Sequence, residues 1–534
     1  MFRLMALLPL FLASLVGSEN AGCLGQTTLQ IDPRKTFQTI DGFGASDAWT
    51  INPMVKKWIR ESNDRSIEKV ADLLFSTQNG IGLSAWRFNI GAGSTQQGAD
   101  SLIPDPLRRA ELFITKPFGS VDENQHIGQV RMLREAHRRG VTDFIAFANS
   151  PPYWATKNGL THPNDGTNVG SSNLDPNYRL AFAKSLVDSI TYLRGDRVGV
   201  PVNYLSPLNE PTWDWQGKTQ EGCPYNIDDI KALYRAVHAQ LVDSGLDKQV
   251  HVDGPESVEY AAALSDAHKI MFDKEIYQGG MHDKEVGRYR NYIDEFLGDP
   301  EMRSILNNKI SMHGYFSDTW SDRLGKLRDI TLVNVRQVSP EAKIWMSEFC
   351  ILEDTGQDRA FSGLGYESND MEFAIHLAKV MHRDLTRLNV SAWHWWLAIT
   401  PYDYKDGLLK ISPSLESESI ETTKAFWIFG NYSRFIRPGF TRIEINNPDE
   451  WNGLMASAYK SPDNQRIVLV VVNGDINKKS ISIRLAASDM RIDRDSIEVF
   501  TTDQNHDHHM SRPLGEIDLP PRSITTVVAK IAQD

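Results

Sequence analysis

Eight short apolar stretches, separated by longer segments of helical period, constrain this chain more than any other feature. They run Ile40 to Ala45, Leu83 to Ile90, Asp143 to Asn149, Val202 to Asn209, Val250 to Gly254, Lys309 to Tyr315, Lys343 to Glu348 and Ser391 to Leu397. Between them lie segments such as Asn177 to Leu193 and Asp228 to Val242, where Leu, Val, Ala and Ile recur at spacings of three and four. Strand and helix in strict alternation is the pattern of repeated βα units, and eight of them predict an α/β fold of the (β/α)8 TIM-barrel type.

After Phe426 the pattern changes. Arg442 to Ile445, Arg466 to Asn473, Ser480 to Leu485, Ser496 to Phe500 and Thr525 to Ala529 read as strands, with turn residues such as Asn473-Gly474-Asp475 between them. This predicts an antiparallel β-sandwich over residues 426–534, beside a barrel over 40–425. Residues 23–39 include Thr28-Leu29-Gln30-Ile31-Asp32, which reads as an added strand of the sandwich. A small domain built from both ends of the chain would associate tightly with the barrel.

Two acids close two of the barrel stretches. Glu210 follows Val202 to Asn209, in Asn209-Glu210-Pro211, and Glu348 ends Lys343 to Ser347. They lie 138 positions apart, yet a barrel gathers its strand C-termini at one face. Two carboxyl groups facing each other across a pocket are what glycosidic hydrolysis requires.

Composition removes other classes. The net charge is −12, and no basic cluster interrupts it, so nucleic acid is not an expected partner. There is no HExxH helix, no phosphate-binding GxxxxGK loop, no strand-linked GxGxxG and no GxSxG. Asn505-His506-Asp507-His508-His509 offers metal-type ligands but reads as an exposed polar turn. No metal or organic cofactor is expected, and the chain is read as a monomer. Arg3 before the apolar run Leu4 to Val16 has the form of a secretory signal over residues 1–22. A secreted, periplasmic or cell-surface location follows, with Cys23 as a possible lipid-anchor position. Cys223 and Cys350 are read as free thiols rather than a pair.

The ordered motifs Gln38 to Ser46, Trp86 to Gly91, Ser150 to Trp154, Asn209-Glu210-Pro211, Ser347-Glu348 and Trp393 to Trp396 resemble those of glycoside hydrolase family 30. This is a set of retaining β-glycosidases built as a (β/α)8 barrel with a side β-sandwich. The resemblance implies that Glu210 is the acid/base and Glu348 the nucleophile. It implies that Asn209 binds a sugar 2-hydroxyl. Arg87 and Tyr315 are placed to hold the charge of Glu348. His313 is either a substrate contact or a structural histidine. Trp154, Trp213, Trp215, Trp395 and Trp396 are candidate platforms for sugar rings, and Asp47 and Trp49 candidate contacts to the sugar at the cut. The loop from Trp213 to Asn226 resembles the endo-β-1,6-galactanase branch, which cuts galactan side chains of arabinogalactan. β-1,6-Glucan, xylan and glucosylceramide-like substrates remain alternatives within the family, as does a non-catalytic glycan-binding protein. Only Lys405 in the eighth-strand loop offers a grip for an acidic sugar.

Overall fold

The first strand, β1 (Thr27–Thr39), does not join the barrel. The barrel begins with β2 (Gly42–Ser46), β3 (Ala85–Asn89), β4 (Asp143–Phe147) and β5 (Tyr204–Ser206). It continues through β6 (His251–Val252), β7 (Pro255–Ser257), β8 (Lys309–His313), β9 (Lys343–Glu348) and β10 (Ala392–Thr400). This computed structural model describes residues 27–533 apart from 164–171, 214, 216–218, 269–290, 319–320, 352–362, 366, 447 and 514. The expected leader and Cys23 lie outside the described residues, as does part of the loop after Glu210.

The barrel strands pair in parallel in the order β6-β5-β4-β3-β2-β10-β9-β8-β7. β6 and β7 are two pieces of one fifth strand, broken at Gly254. Leu205 O receives Asp253 N at 2.8 Å, and Gly254 O receives Ser311 N at 2.8 Å, so the break stitches β5 to β8. Gly254 has φ 140°, and a Cβ there would lie 2.0 Å from the Tyr234 hydroxyl. Only glycine fits. Helices return the chain from one strand to the next. Their starts are marked by capping side chains: Asn226 accepts from Asp229 N, Asp370 from Phe373 N and Thr423 from Phe426 N. The helices expected at 177–193 and 228–242 occupy Arg179–Arg194 and Ile227–Asp243.

Alternation along each strand decides what faces inward. In β3, Trp86 and Phe88 pack outward against the helical layer while Ala85 helps close the barrel floor with Ile145, Trp345 and Ala392. Below the site, Lys309 Nζ sits 3.2 Å from the Trp345 ring centroid and 2.8 Å from Asp253 Oδ1. Outside the barrel, buried Asp384 accepts from Arg328 Nε (2.7 Å), the Tyr260 hydroxyl (2.8 Å) and Trp393 Nε1 (2.8 Å). One carboxylate thus satisfies donors from three elements.

A short hairpin, β11 (Gly407–Lys410) with β12 (Glu421–Thr422), extends β10. The sandwich follows as β13 (Thr441–Ile445), β14 (Leu454–Lys460), β15 (Arg466–Asn473), β16 (Lys479–Leu485) and β17 (Met490–Thr502). It ends with β18 (His509–Ser511), β19 (Ile517–Leu519) and β20 (Ser523–Gln533). The order is β18-β17-β20-β15-β14-β13-β1-β16-β19, so β1 lies between β13 and β16. β1 runs antiparallel to β13 and parallel to β16. In β15, Ile467, Leu469 and Val471 fill the sandwich core, while Val468, Val470 and Val472 pack into the barrel's core. The joint between the two units therefore has an apolar centre, and polar contacts such as Asn431 Nδ2 to the Thr502 hydroxyl (2.8 Å) flank it. The turn expected at 505–509 is exposed at Asn505, His506, Asp507 and His509, and His508 is the exception. It is buried, and its ring meets the backbone carbonyl of Trp427 at 2.7 Å.

Candidate active site

Charged side chains from five strand ends converge at the C-terminal mouth of the barrel. Arg87 lies in β3, Glu210 follows β5, Glu256 lies in β7, His313 ends β8 and Glu348 ends β9. Each is almost fully shielded from solvent. Arg87 Nη1 donates to Glu348 Oε2 at 2.6 Å, and the Tyr315 hydroxyl donates to Glu348 Oε1 at 3.0 Å. His313 Nδ1 contacts Glu210 Oε1 at 3.0 Å and Glu348 Oε1 at 3.7 Å; its Nε2 contacts Glu256 Oε2 at 2.9 Å. The nearest ligand atoms of Glu210, His313 and Glu348 all lie within 4.8 Å of one another.

The charges sort themselves. Burial opposes a cation at His313, but Glu348, Glu210 and Glu256 outweigh it and raise the imidazole to about 10. Both ring nitrogens then carry protons and donate to the flanking carboxylates. Burial also works against charge on Glu256, yet the His313 hydrogen bond and the Arg87 guanidinium pull it down to about 2. Glu210 is displaced the other way. Burial raises its pKa, the Glu348 charge adds to that, and His313 only partly opposes them. The same pocket thus holds one carboxyl biased toward its neutral form and one, Glu256, fixed as an anion.

Backbone strain gathers here. Glu210 (φ 43°), Glu256 (φ 56°), Trp49 (φ 62°), Trp215 (φ 49°) and Phe316 (φ 57°) all lie in the left-handed region, which non-glycine residues seldom occupy. All but Glu256 line a cleft of about 440 Å³ that also exposes Asn209, Trp213, Tyr315, Glu348 and Trp396. Trp213 stacks on Phe316 with ring centroids 6.1 Å apart, forming an aromatic wall beside Glu210.

Several expected contacts do not reach the cleft. Trp395 is fully buried, stacks on Trp393 and donates to Asp406 O at 2.7 Å. The alternation of β10 turns Trp393 and Trp395 toward the helical layer and leaves Trp396 to face the cleft. Asp47 is buried too, accepting from Asn89 N and Gln129 Nε2, each at 2.9 Å. It ties the end of β2 to β3 and does not line the cleft. Trp154 donates to Ile114 O at 2.9 Å and packs edge-on against Tyr178, away from the cleft lining. Arg87 and His313 stand behind the carboxylates, not on the cleft surface. Lys405 donates to Leu364 O and Gly365 O, so it offers no grip to a ligand. Cys223 and Cys350 are both free and buried.

Glu256 is the site residue that the sequence did not announce. Gly254-Pro255 reads as a turn that ends the fifth strand, and Glu256 lies just beyond it. A third acid at a strand end was the available signal. Arg108 and Asp406 leave no strand-end signal as cleft residues, because Arg108 lies in the connection after β3 and Asp406 in the short link between β10 and β11.

A (β/α)8 barrel with a side sandwich, and paired carboxyls at the mouth of the barrel, define a glycoside hydrolase scaffold. Residues 26–410 match O-glycosyl hydrolase family 30 and residues 439–527 match the family 30 beta sandwich domain; the chain belongs to this family and is an O-glycosyl hydrolase by that membership. It is 24% identical to an endo-beta-1,6-galactanase of Hypocrea rufa over 84% of this chain and 81% of that protein. A conserved exported protein from Bacteroides fragilis superposes with a TM-score of 0.78 at 27% identity, covering 94% of this chain and all of that one. GH30 xylanase C from Talaromyces cellulolyticus superposes at 0.65 with 21% identity, over 94% of this chain and 100% of that chain, and shares the fold.

Proposed function

We propose that this protein is an exported retaining hydrolase of β-1,6-linked galactan, with Glu348 as nucleophile and Glu210 as acid/base. The observation that carries the chemistry is the approach of Glu210 and Glu348 to within 4.8 Å. Retaining enzymes hold their two carboxyls about 5–5.5 Å apart, whereas inverting ones leave about 6.5–9.5 Å for a water. In the first step Glu348 attacks the anomeric carbon while Glu210 gives its proton to the departing glycosidic oxygen. In the second, Glu210 takes a proton from water as water displaces Glu348. Arg87 and Tyr315 hold Glu348 as an aligned anion. Asn209, whose Oδ1 has no partner among the described residues, faces the cleft and is assigned to a sugar hydroxyl.

His313 acts on Glu210 from behind. Its cation favours the ionised form of that acid, so its removal raises the Glu210 pKa further. His313→Gln is expected to move the basic limb of the kcat/KM–pH profile to higher pH and to lower kcat. A limb that moves to lower pH, or does not move, removes the charged imidazole from the mechanism.

The galactan reading is supported by the Hypocrea rufa relative and by the loop from Trp213 to Asn226. Export is supported by the apolar run Leu4 to Val16 and by the exported Bacteroides fragilis homologue. No helix among the described residues is long and apolar enough to cross a membrane. Digestion of arabinogalactan stripped of arabinose, beside β-1,6-glucan and xylan, tests the substrate. A ladder of short β-1,6-galacto-oligosaccharides is the expected product. Cleavage confined to the glucan or the xylan overturns the galactan assignment.

A further inference from the structure

The cleft has two walls, and the chemistry above uses the middle. One wall carries Trp213, Trp215, Gln220 and Phe316, from the loops after β5 and β8. The other carries Trp396 of β10, Asp406 after that strand, Trp49 after β2 and Arg108 after β3, three strands that are neighbours in the sheet. Glu210 follows β5 and protonates the departing oxygen, so the first wall receives the leaving portion of the glycan. The wall of Trp49, Arg108, Trp396 and Asp406 faces the sugar that becomes attached to the enzyme, or the one beyond it.

That second wall is built, not incidental. The Arg108 guanidinium lies 4.5 Å from the Trp49 ring centroid and 4.8 Å from that of Tyr402. Tyr402 is itself anchored by its hydroxyl to Asp105 at 2.7 Å. Trp49 meets Trp396 edge-on at 5.2 Å. The backbone of Asp406 is pinned, since its carbonyl accepts from Trp395 Nε1 at 2.7 Å and from Leu397 N at 3.2 Å. Its side chain is 98% shielded, yet Oδ1 takes no hydrogen bond among the described residues. Burial pushes this carboxyl up to about 7, against the Thr400 hydroxyl and the Arg108 charge. A buried acceptor left open at a ligand cleft is costly unless a ligand donates to it. An acceptor and a planar donor between indole rings match a sugar, which offers hydroxyls around an apolar C–H face.

We propose that Arg108 and Asp406 form the specificity element of a subsite for an uncharged β-linked sugar on the retained side of the cut. Asp406 accepts a hydrogen bond from one ring hydroxyl, Arg108 donates to a neighbouring hydroxyl oxygen, and Trp49 and Trp396 bound the ring. An anionic sugar is disfavoured, because a carboxylate in place of a hydroxyl offers Asp406 no donor. The inference rests on the retaining-hydrolase assignment for the direction of the cleft, but not on the galactan assignment.

The test measures calorimetric binding to the Glu348→Gln protein, with and without Asp406→Asn or Arg108→Gln. The ligands are β-1,6-linked galacto- and gluco-trisaccharides. Each second substitution is expected to weaken the preferred trisaccharide about tenfold or more and to bring the ratio of the two affinities toward one. Melting temperatures should match that of the parent. If both sugars lose equally, or neither loses, Asp406 and Arg108 shape the loops and the subsite is wrong. Should the glucan be the preferred ligand and lose its preference in both variants, the galactan assignment fails while the subsite stands. Galactan cleavage with unchanged discrimination sinks the subsite alone.

Discussion

Glu348→Gln is expected to lower kcat on the natural glycan by on the order of 10⁴-fold or more, while leaving the fold intact. The amide keeps the shape, and its one oxygen can still accept from Arg87 or from Tyr315, though not from both; it cannot form a glycosyl ester that water then cleaves. Trimming further, to Glu348→Gly, opens space beneath the anomeric carbon. Azide should then restore turnover by entering that space and should give a glycosyl azide of inverted configuration. Wild-type activity in Glu348→Gln, or rescue with retained configuration, would show that the nucleophile is another group.

The second large effect belongs to Glu210 and depends on the leaving group. Glu210→Ala should lose about 10²- to 10⁴-fold on a glycan, whose alkoxide departs only with a proton. A dinitrophenyl glycoside, whose leaving group needs no proton, should form the covalent intermediate nearly as fast as in the wild type and then stall. Added azide should relieve the stall and yield a glycosyl azide of retained configuration. The basic limb of the pH profile should vanish as well, because the group that loses its proton there is gone. Equal losses on both substrates would deny Glu210 its role as acid.

Much of this was legible in the chain. Lys343 to Glu348 and Arg466 to Asn473 read as strands with the bounds they have, because dense apolar and β-branched runs leave little choice. The fourth barrel strand was read too long: only Tyr204–Ser206 pair. Pro201 and Pro207 bracket it, and proline cannot donate to a ladder. β14 carries no strand signal in the sequence. Its sequence, Leu454-Met-Ala-Ser-Ala-Tyr-Lys460, lacks β-branched residues and is buried on both faces, Leu454, Ala456 and Ala458 in the sandwich and Met455 and Tyr459 toward the barrel. Polar alternation never shows in such a strand. Glu210 and Glu348 stood out because each ends an apolar run. Glu256, Arg108 and Asp406 did not, since loop paths and a broken strand placed them, and neither leaves a periodic trace. Trp395 was misassigned for a simpler reason: in Trp393-His394-Trp395-Trp396 a period of two sorts the tryptophans into two environments.

The position of β1 in the middle of the C-terminal sheet fixes the order of events during synthesis. Thr27–Thr39 emerge from the ribosome ahead of the barrel, but their partners, β13 and β16, emerge some four hundred residues later. Until then that segment has neither of its native partners. Severing the two units between β12 and β13 would not yield two independent parts, because one would keep a strand that the other lacks.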